Sequence, residues 1–267
     1  MQKPRFDTSI WIYLSLAFGI SWIAYFVQQN TGPSQWNEAL RTVVEFGPSI
    51  AGVLATYYVA RLLGVGQLFR KLLPDPAHAR WIAVALVLPF AVIVVSVIIR
   101  GFFQPALLEP EAASGTEVLS IYGTLLVTRT FLGGGLGEEL GWRGFLLPAL
   151  LPKFGPFQAS LLIGFIHGAW HFPAYGVGTI FFVGFTVSMA FITTWLYHKC
   201  DGNLFPIVLL HANGNATLSL SERVFPGMDN DLGFVFITFL LWAFVASKIA
   251  QRAELFRNDV PVIDPRF

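Results

Sequence analysis

Residues 133–148 read GGGLGEELGWRGFLLP, and this stretch decides how the rest of the chain is interpreted. It places two adjacent glutamates, Glu138 and Glu139, and an arginine, Arg143, among glycine, leucine, tryptophan and phenylalanine. Charged side chains are rare in membrane helices, because an ionised group at mid-membrane costs on the order of 3 kcal/mol even on the lenient insertion scale. The stretch therefore indicates either a polar contact between helices or a functional site.

The composition of the whole chain is that of a membrane protein. Of its 267 residues, 55% are apolar and 12% are charged, and the mean hydropathy is +0.62. Soluble domains contain roughly 25% charged residues, so the predicted fold class is an all-α, polytopic integral membrane protein. The formal net charge of +1 gives no reason to expect nucleic acid as a partner. A single cysteine, Cys200, cannot form an internal disulfide.

Apolar runs long enough to cross about 30 Å of hydrocarbon recur along the chain. They predict eight membrane helices in one membrane domain of residues 1–267, with the spans 10–28, 42–63, 80–101, 119–150, 156–174, 177–197, 203–220 and 232–251. The fourth span is about ten residues longer than crossing requires. The sequence leaves open whether it is one long helix or breaks at Gly133 to Gly135.

The basic residues predict the orientation, because cytoplasmic loops are enriched in lysine and arginine. With the N-terminus inside, the outer loops hold Arg41, Arg100 and Arg223, while Arg129 and Arg143 lie within the membrane. The other twelve of the 17 basic residues are then cytoplasmic: Lys3, Arg5, Arg61, Arg70, Lys71, Arg80, Lys153, Lys199, Lys248, Arg252, Arg257 and Arg266. We therefore expect both termini in the cytoplasm, with the protein in the cell membrane.

The opening stretch separates into faces if it is helical, because each residue advances 100°. Glu139 and Arg143 are four residues apart and share a face, in the favourable order for an ion pair. Small residues on another face would let a neighbouring helix approach closely; these are Gly133, Gly137, Gly141 and Gly144. Arg143 can neutralise only one of the two carboxylates. Glu138 therefore needs a partner from another helix, and it is the candidate general acid or base.

Two later helices offer polar partners at a compatible depth. His171 lies as far from the predicted cytoplasmic turn at 151–156 as Glu138 does, so an antiparallel hairpin brings the two level. His211 and Asn215 are four residues apart on one face of the seventh predicted helix. All four side chains are expected to meet in one intramembrane cavity, entered from the cytoplasmic side.

Polar residues in membrane helices also serve as hydrogen-bonding contacts between helices. A lone histidine or asparagine more often has that structural role than a catalytic one. We therefore favour a packing or interface role for five polar residues, which are His167, Asn213, Arg129, Glu45 and His198.

In this order the residues resemble the intramembrane glutamic endopeptidases of the CAAX-protease and bacteriocin-processing family. The family's motifs are EExxxR, FxxxH and HxxxN, and they correspond here to Glu138, Glu139 and Arg143, to His171, and to His211 and Asn215. His167 stands where the family often has an aromatic residue, which is a departure from the pattern. Three motifs in order, each in an apolar helix, are a specific match. The resemblance extends over residues 120–220, the expected catalytic core.

The resemblance implies an endopeptidase that cleaves a membrane-associated protein or peptide, including a CAAX-type prenylated one, in contact with the lipid bilayer. We hypothesise that Glu138, helped by His171, activates a water molecule for hydrolysis of the peptide bond. His211 and Asn215 would donate hydrogen bonds to the oxyanion of the tetrahedral intermediate. The supporting residues would be Glu139, Arg143 and His167, and no cofactor is expected.

Two alternatives stay open at the level of sequence. Glu138, His171 and His211 form a possible zinc set of two histidines and one carboxylate with an open position for water. The absence of HExxH and the placement of the ligands on three helices favour the metal-free interpretation. The second alternative is a non-enzymatic transporter or bacteriocin immunity protein, although the paired repeats common in transporters are not visible.

Overall fold

The computed structural model describes residues 3–32, 36–110, 114–228 and 231–252, with side chains from residue 8 onward. Within these ranges the chain is almost entirely helical and contains no β-strand, which confirms the all-α prediction. The α-helices are α1 (Lys3–Asn30), α2 (Asn37–Arg70), α3 (Ala79–Phe103), α4 (Gly115–Phe131), α5 (Gly134–Gly141), α6 (Leu147–Trp170), α7 (Phe172–Tyr175), α8 (Thr179–Lys199), α9 (Phe205–Val224) and α10 (Leu232–Ala250).

Six segments of the described chain are long and apolar enough to cross a membrane, so the protein is a multi-pass integral membrane protein. They are Thr8–Asn30, Asn37–Arg70, Pro76–Phe103, Gly115–Trp170, Phe172–Lys199 and Leu232–Ala250. The count of eight is not confirmed. The predicted fourth and fifth spans fall within one of these segments, Gly115–Trp170. The predicted seventh span forms helix α9, but its polar residues make it too hydrophilic to count among the membrane-crossing segments. Arg257 and Arg266, used above for the orientation, lie outside the described residues.

The long fourth span breaks where the glycines begin. α4 ends at Phe131, and α5 starts at Gly134 after extended backbone at Gly133, with φ −127° and ψ −163°. α5 then runs into a π-helical turn, Trp142–Leu146, which leads directly into α6. Turns of this kind occur often at functional sites. The question left open by the sequence is therefore settled in favour of a break, and α5 is a separate short helix.

α5 lies inside the bundle, between α2 and α9. Its residues are buried apart from the half-buried Leu136. A Cβ on Gly137 would lie 2.7 Å from the carbonyl oxygen of Glu45, and one on Gly141 would be closer still to that of Pro48. Two members of the predicted glycine face thus allow the α2 backbone to touch α5.

α2 is tied to its neighbours by serine side chains. Pro48 has no N–H, so the carbonyl of Val44, four residues earlier, loses its helical partner. The hydroxyl of Ser21 on α1 donates to that carbonyl at 2.7 Å. The next residue of α2, Ser49, donates to the carbonyl of Leu136 on α5 at 2.7 Å. These bonds fix α1, α2 and α5 relative to one another in a region without water to replace them.

Asn213 has the same role for α3. Pro89 leaves the carbonyl of Ala85 without its helical donor, and the Asn213 amide donates to Ala85 at 3.1 Å and to Leu86 at 2.7 Å. Its side-chain oxygen accepts from the Tyr122 hydroxyl of α4 at 2.8 Å. Asn213 is fully buried. The interface role expected for it is confirmed, since it joins α3, α4 and α9.

The hydrogen bonds of Asn213 predict a loss of stability on truncation. Asn213→Ala leaves buried carbonyl and hydroxyl groups without partners, and we expect the free energy of unfolding to fall by about 1–3 kcal/mol. Thermal unfolding of the purified protein in detergent measures the change. Asn215→Ala, two residues along the same helix, is the matched control, because that side chain has no hydrogen-bond partner among the described residues. Equal losses in the two variants would contradict this account.

Candidate active site

Glu138 is buried on α5, with 5% of its surface exposed, and it is approached from two sides. Its Oε2 lies 2.7 Å from Nε2 of His167 at the end of α6. The two atoms are close enough for an ion pair if the His167 ring is protonated, but neither has a hydrogen-bond partner in the described chain. The other oxygen, Oε1, faces Gly134 and His211. The predicted need for a partner from another helix is met by histidines.

His171 follows the last residue of α6. Its Nδ1 lies 3.0 Å from the carbonyl oxygen of His167. Since a carbonyl can only accept, Nδ1 carries the proton and Nε2 keeps a lone pair. Ligand-type atoms of Glu138, His167 and His171 all lie within 4.8 Å of one another. The structure therefore brings Glu138 and His171 to the same depth, as expected, and adds His167 to them.

His167 is more central than its sequence context indicated. Its ring stacks on Trp142 at a centroid distance of 5.0 Å, which is the packing that an aromatic residue at this position would make. The packing role is thus present. The same ring also approaches the Glu138 carboxylate, a contact that we did not expect. The four-residue spacing between His167 and His171 was the available signal, but the family pattern favoured a purely structural interpretation.

Glu139 connects two cationic or potentially cationic side chains. Its Oε1 accepts from Arg143 at 3.0 Å and lies 2.7 Å from Nδ1 of His211 on α9. Glu139 and Arg143 are 0% and 1% exposed, so the predicted ion pair is present and is sealed from solvent. With a carboxylate at Nδ1, the imidazole of His211 is held in one orientation. Its Nε2 then points toward the space beside Gly134.

Gly134 leaves a gap between the two reactive groups. A Cβ on this residue would lie 2.7 Å from Oε1 of Glu138 and 2.8 Å from Nε2 of His211. Any other residue would therefore fill the point that both groups reach. An atom at that point would be within hydrogen-bond distance of both Oε1 of Glu138 and Nε2 of His211. Gly134 is a site residue that sequence reasoning missed, whereas His167 was predicted as a supporting residue.

Three further polar residues of the predicted spans are Asn215, Glu45 and Arg129. Asn215 is half-buried, one turn beyond His211 on the same face of α9, and it has no hydrogen-bond partner among the described residues. Glu45 is paired with Arg41 at 3.3 Å. Arg129 contacts Ser219, with 3.4 Å between Nη2 and Oγ. The Arg129 contact joins α4 to α9, as expected for an interface residue, whereas the Glu45 pair lies within α2.

The expected entrance from the side of the 151–156 turn stays a prediction. Buried apolar residues follow Glu138 along the chain toward that turn, and they include Trp142, Phe145, Leu146, Leu147 and Leu150. Beyond the other end of α6, Tyr175 is 52% exposed and stacks on His171. The more exposed neighbours of the site therefore lie beside His171.

An apolar groove is lined in part by residues that neighbour His171 in the chain. It has a volume of about 390 Å³ and is lined by Phe18, Trp22, Ala169, Phe172, Gly176, Val177, Thr179, Ile180 and Val183. Two of these residues, Ala169 and Phe172, lie within two positions of His171 in the chain. The indole nitrogen of Trp22 donates to the carbonyl of Trp170 at 2.9 Å, which holds α1 against the end of α6.

Comparison with known proteins gives two findings. Residues 120–217 match the family model described as type II CAAX prenyl endopeptidase, Rce1-like. The chain is also 28% identical over 153 residues to CAAX prenyl protease 2 of Methanococcus maripaludis, an alignment that covers 50% of this chain and 54% of the relative. The chain thus spans about half the length of the curated relative it matches. The segment matched by the family model contains all three motifs.

The buried ion pair predicts a large effect of charge removal. Glu139→Gln leaves Arg143 buried without its carboxylate, and breaking such a pair from one side costs about 3–5 kcal/mol. Unfolding in detergent, followed by circular dichroism, measures the loss. The control is the double variant Glu139→Gln/Arg143→Met, which removes both charges and is expected to be more stable than Glu139→Gln alone. A double variant that loses the sum of the two single losses would show that the pair is not coupled.

Proposed function

Because residues 120–217 match the model of the type II CAAX prenyl endopeptidase, Rce1-like family, we propose that the protein is an intramembrane endopeptidase. Its substrate is a membrane-associated protein or peptide, and the reaction is hydrolysis of a peptide bond. The observation that supports the proposal best is the buried carboxylate of Glu138, which faces Nε2 of His211 across the gap beside Gly134. A water molecule and a peptide carbonyl both find complementary groups there.

Glu138 acts as the general base and then as the general acid. A water molecule in the gap gives a proton to Oε1 while its oxygen attacks the carbonyl carbon of the scissile bond, whose π electrons move onto the carbonyl oxygen. When the tetrahedral intermediate collapses, the C–N bond breaks and the proton on Glu138 passes to the leaving nitrogen. Proton transfer by one positioned group in this way contributes roughly 10²–10⁴-fold to a rate.

His171 positions the water in this scheme. Its Nδ1 proton is engaged by the carbonyl of His167, so Nε2 offers a lone pair to the second hydrogen of the water. The carboxylate of Glu138 and Nε2 of His171 then hold the nucleophile from two directions. Fixing the nucleophile before attack removes much of the entropic barrier to the reaction.

His211 stabilises the oxyanion. Its Nδ1 donates to Glu139, so a second proton on Nε2 makes the ring an imidazolium whose Nε2–H points into the gap. The charges of Glu138, Glu139, Arg143 and His211 then sum to zero, which suits a buried site. Asn215, one turn farther along α9, supplies a second donor from its amide. Preorganised donors are worth most in such a site, because water does not compete there.

The apolar groove supports a substrate that carries a hydrocarbon group. Its lining is almost entirely apolar and begins next to His171, so a chain bound in it would place the attached peptide near the site. The name of the Methanococcus relative, a CAAX prenyl protease, suggests a prenylated protein. We also propose that both termini are cytoplasmic and that the protein lies in the cell membrane, as the distribution of basic residues predicts.

Replacement of Glu138 tests the proposal. Glu138→Gln keeps the shape of the side chain but removes the base, and we expect peptide hydrolysis to fall by about 10²–10⁴-fold while the protein stays folded. Substrates are found by comparing membrane peptides of wild-type and Glu138→Ala cells by mass spectrometry. Cleavage is then measured with the purified protein in proteoliposomes.

The control for this variant is Glu109→Gln, which makes the same chemical change at an exposed position and is expected to leave the rate unchanged. Full activity in Glu138→Gln would contradict the mechanism. A cellular phenotype that survives replacement of Glu138, His171 and His211 in turn would point to transport or to bacteriocin immunity instead.

A further inference from the structure

We propose that Glu138, His167 and His171 form a binding site for a divalent transition-metal ion, with zinc as the best match. The set consists of one carboxylate and two imidazoles, and their ligand-type atoms lie within 4.8 Å of one another. Catalytic zinc sites use three protein ligands of these types and leave a fourth position open. Glu138 and His167 are each 5% exposed, so two of the three ligands are sealed from bulk water.

The unsatisfied atoms of His167 are an independent sign of a missing ligand. Both of its ring nitrogens lack a hydrogen-bond partner in the described chain, and so does Oε2 of Glu138. A buried polar group left without a partner costs about 1–3 kcal/mol, and most such groups in folded proteins are satisfied. One cation between Nε2 of His167 and Oε2 of Glu138 would satisfy both atoms.

The two histidines are held in orientations that suit metal binding. Nδ1 of His171 donates to the carbonyl of His167, which leaves Nε2 unprotonated and able to bind a cation. Metal-binding histidines almost always engage their other nitrogen in this way. The ring of His167 is fixed by stacking on Trp142. Both ligands are thus oriented before an ion enters.

The distances require small adjustments only. Donor atoms about 2.1 Å from a tetrahedral ion lie about 3.4 Å from one another. The 2.7 Å between Glu138 and His167 is shorter than this and would widen, whereas the longest separations in the set, at most 4.8 Å, would shorten. Rotations about side-chain bonds supply these changes.

The ligand set differs from the one that the sequence suggested. There the third ligand was His211, but its Nδ1 is bonded to Glu139, and it does not belong to the group within 4.8 Å. His167 takes its place. The ligands consequently come from α5 and the end of α6, which follow one another in the chain, and not from three separate helices. The objection that three helices must converge no longer applies.

An ion in this site would inhibit the proposed hydrolysis. This expected inhibition rests on the proposed function, whereas metal binding itself does not. A cation on Oε2 draws electron density from the whole Glu138 carboxylate, so Oε1 becomes a weaker base toward water. His171 also loses the lone pair that would hold the water. The neighbouring carboxylate, Glu139, is engaged by Arg143 and His211 and cannot replace it. We therefore expect added zinc to slow cleavage in proportion to occupancy of the site.

Metal binding is tested on the purified full-length protein without reference to activity. The metal-stripped protein is titrated with Zn²⁺ or Co²⁺, and bound metal is measured by elemental analysis and by the visible absorption of Co²⁺. We expect one ion per chain. His167→Phe keeps the stack on Trp142 but removes a ligand, so affinity should fall by more than the roughly 10–100-fold that loss of an outer partner costs. His211→Asn should still bind one ion.

Three results would overturn the site: no ion bound to the wild-type protein, equal affinity in His167→Phe, or loss of binding in His211→Asn alone. X-ray absorption of the zinc-loaded wild type gives a second answer that needs no variant, with two imidazoles and one carboxylate expected at the ion. If the protein cleaves peptides but binds no metal, the metal site is wrong and the proposed function stands. If the protein binds the metal but cleaves no peptide, the proposed function is wrong and the metal site stands.

Discussion

The carboxylate of Glu139 is the interaction on which the rest of the site depends. It is fully buried and is shared by Arg143 within the same stretch and His211 of α9. Because buried charges must be paired, this arrangement fixes α5 against α9 and orients the imidazole. Glu138 is the next residue back along α5, so its side chain points about 100° away, toward the end of α6. One glutamate of the pair holds the structure, and the other is the residue that we propose for catalysis.

The polar groups of this membrane protein fall into two kinds. Ser21 and Asn213 donate to carbonyls that prolines have deprived of their helical donors, and their hydrogen bonds hold the helices together. Glu138 and His167 are equally buried, yet they face each other with atoms that have no hydrogen-bond partner in the described chain. In a region without water, groups of the first kind stabilise the fold. Groups of the second kind mark the place where a substrate, a water molecule or an ion is expected.

Residue spacing along the chain predicted part of the site, whereas the close contacts between side chains of different helices could not be predicted from the sequence. The Glu139–Arg143 pair follows from a spacing of four on one helix, and the chain turn at 151–156 gives the common depth of Glu138 and His171. Gly134 was missed because its role depends on a contact between two helices, in which Nε2 of His211 on α9 comes close to Gly134 on α5.

The central claim is that Glu138 activates a water molecule and does not itself attack the peptide. A single turnover in H₂¹⁸O, with enzyme in excess over substrate, tests it most directly. After digestion, mass spectrometry locates the label in the product and in the peptide that contains Glu138. The account predicts one ¹⁸O atom in the new C-terminal carboxylate of the product and none in Glu138. Label in the side chain of Glu138 would contradict it, because it would mean that the carboxylate had formed an acyl intermediate.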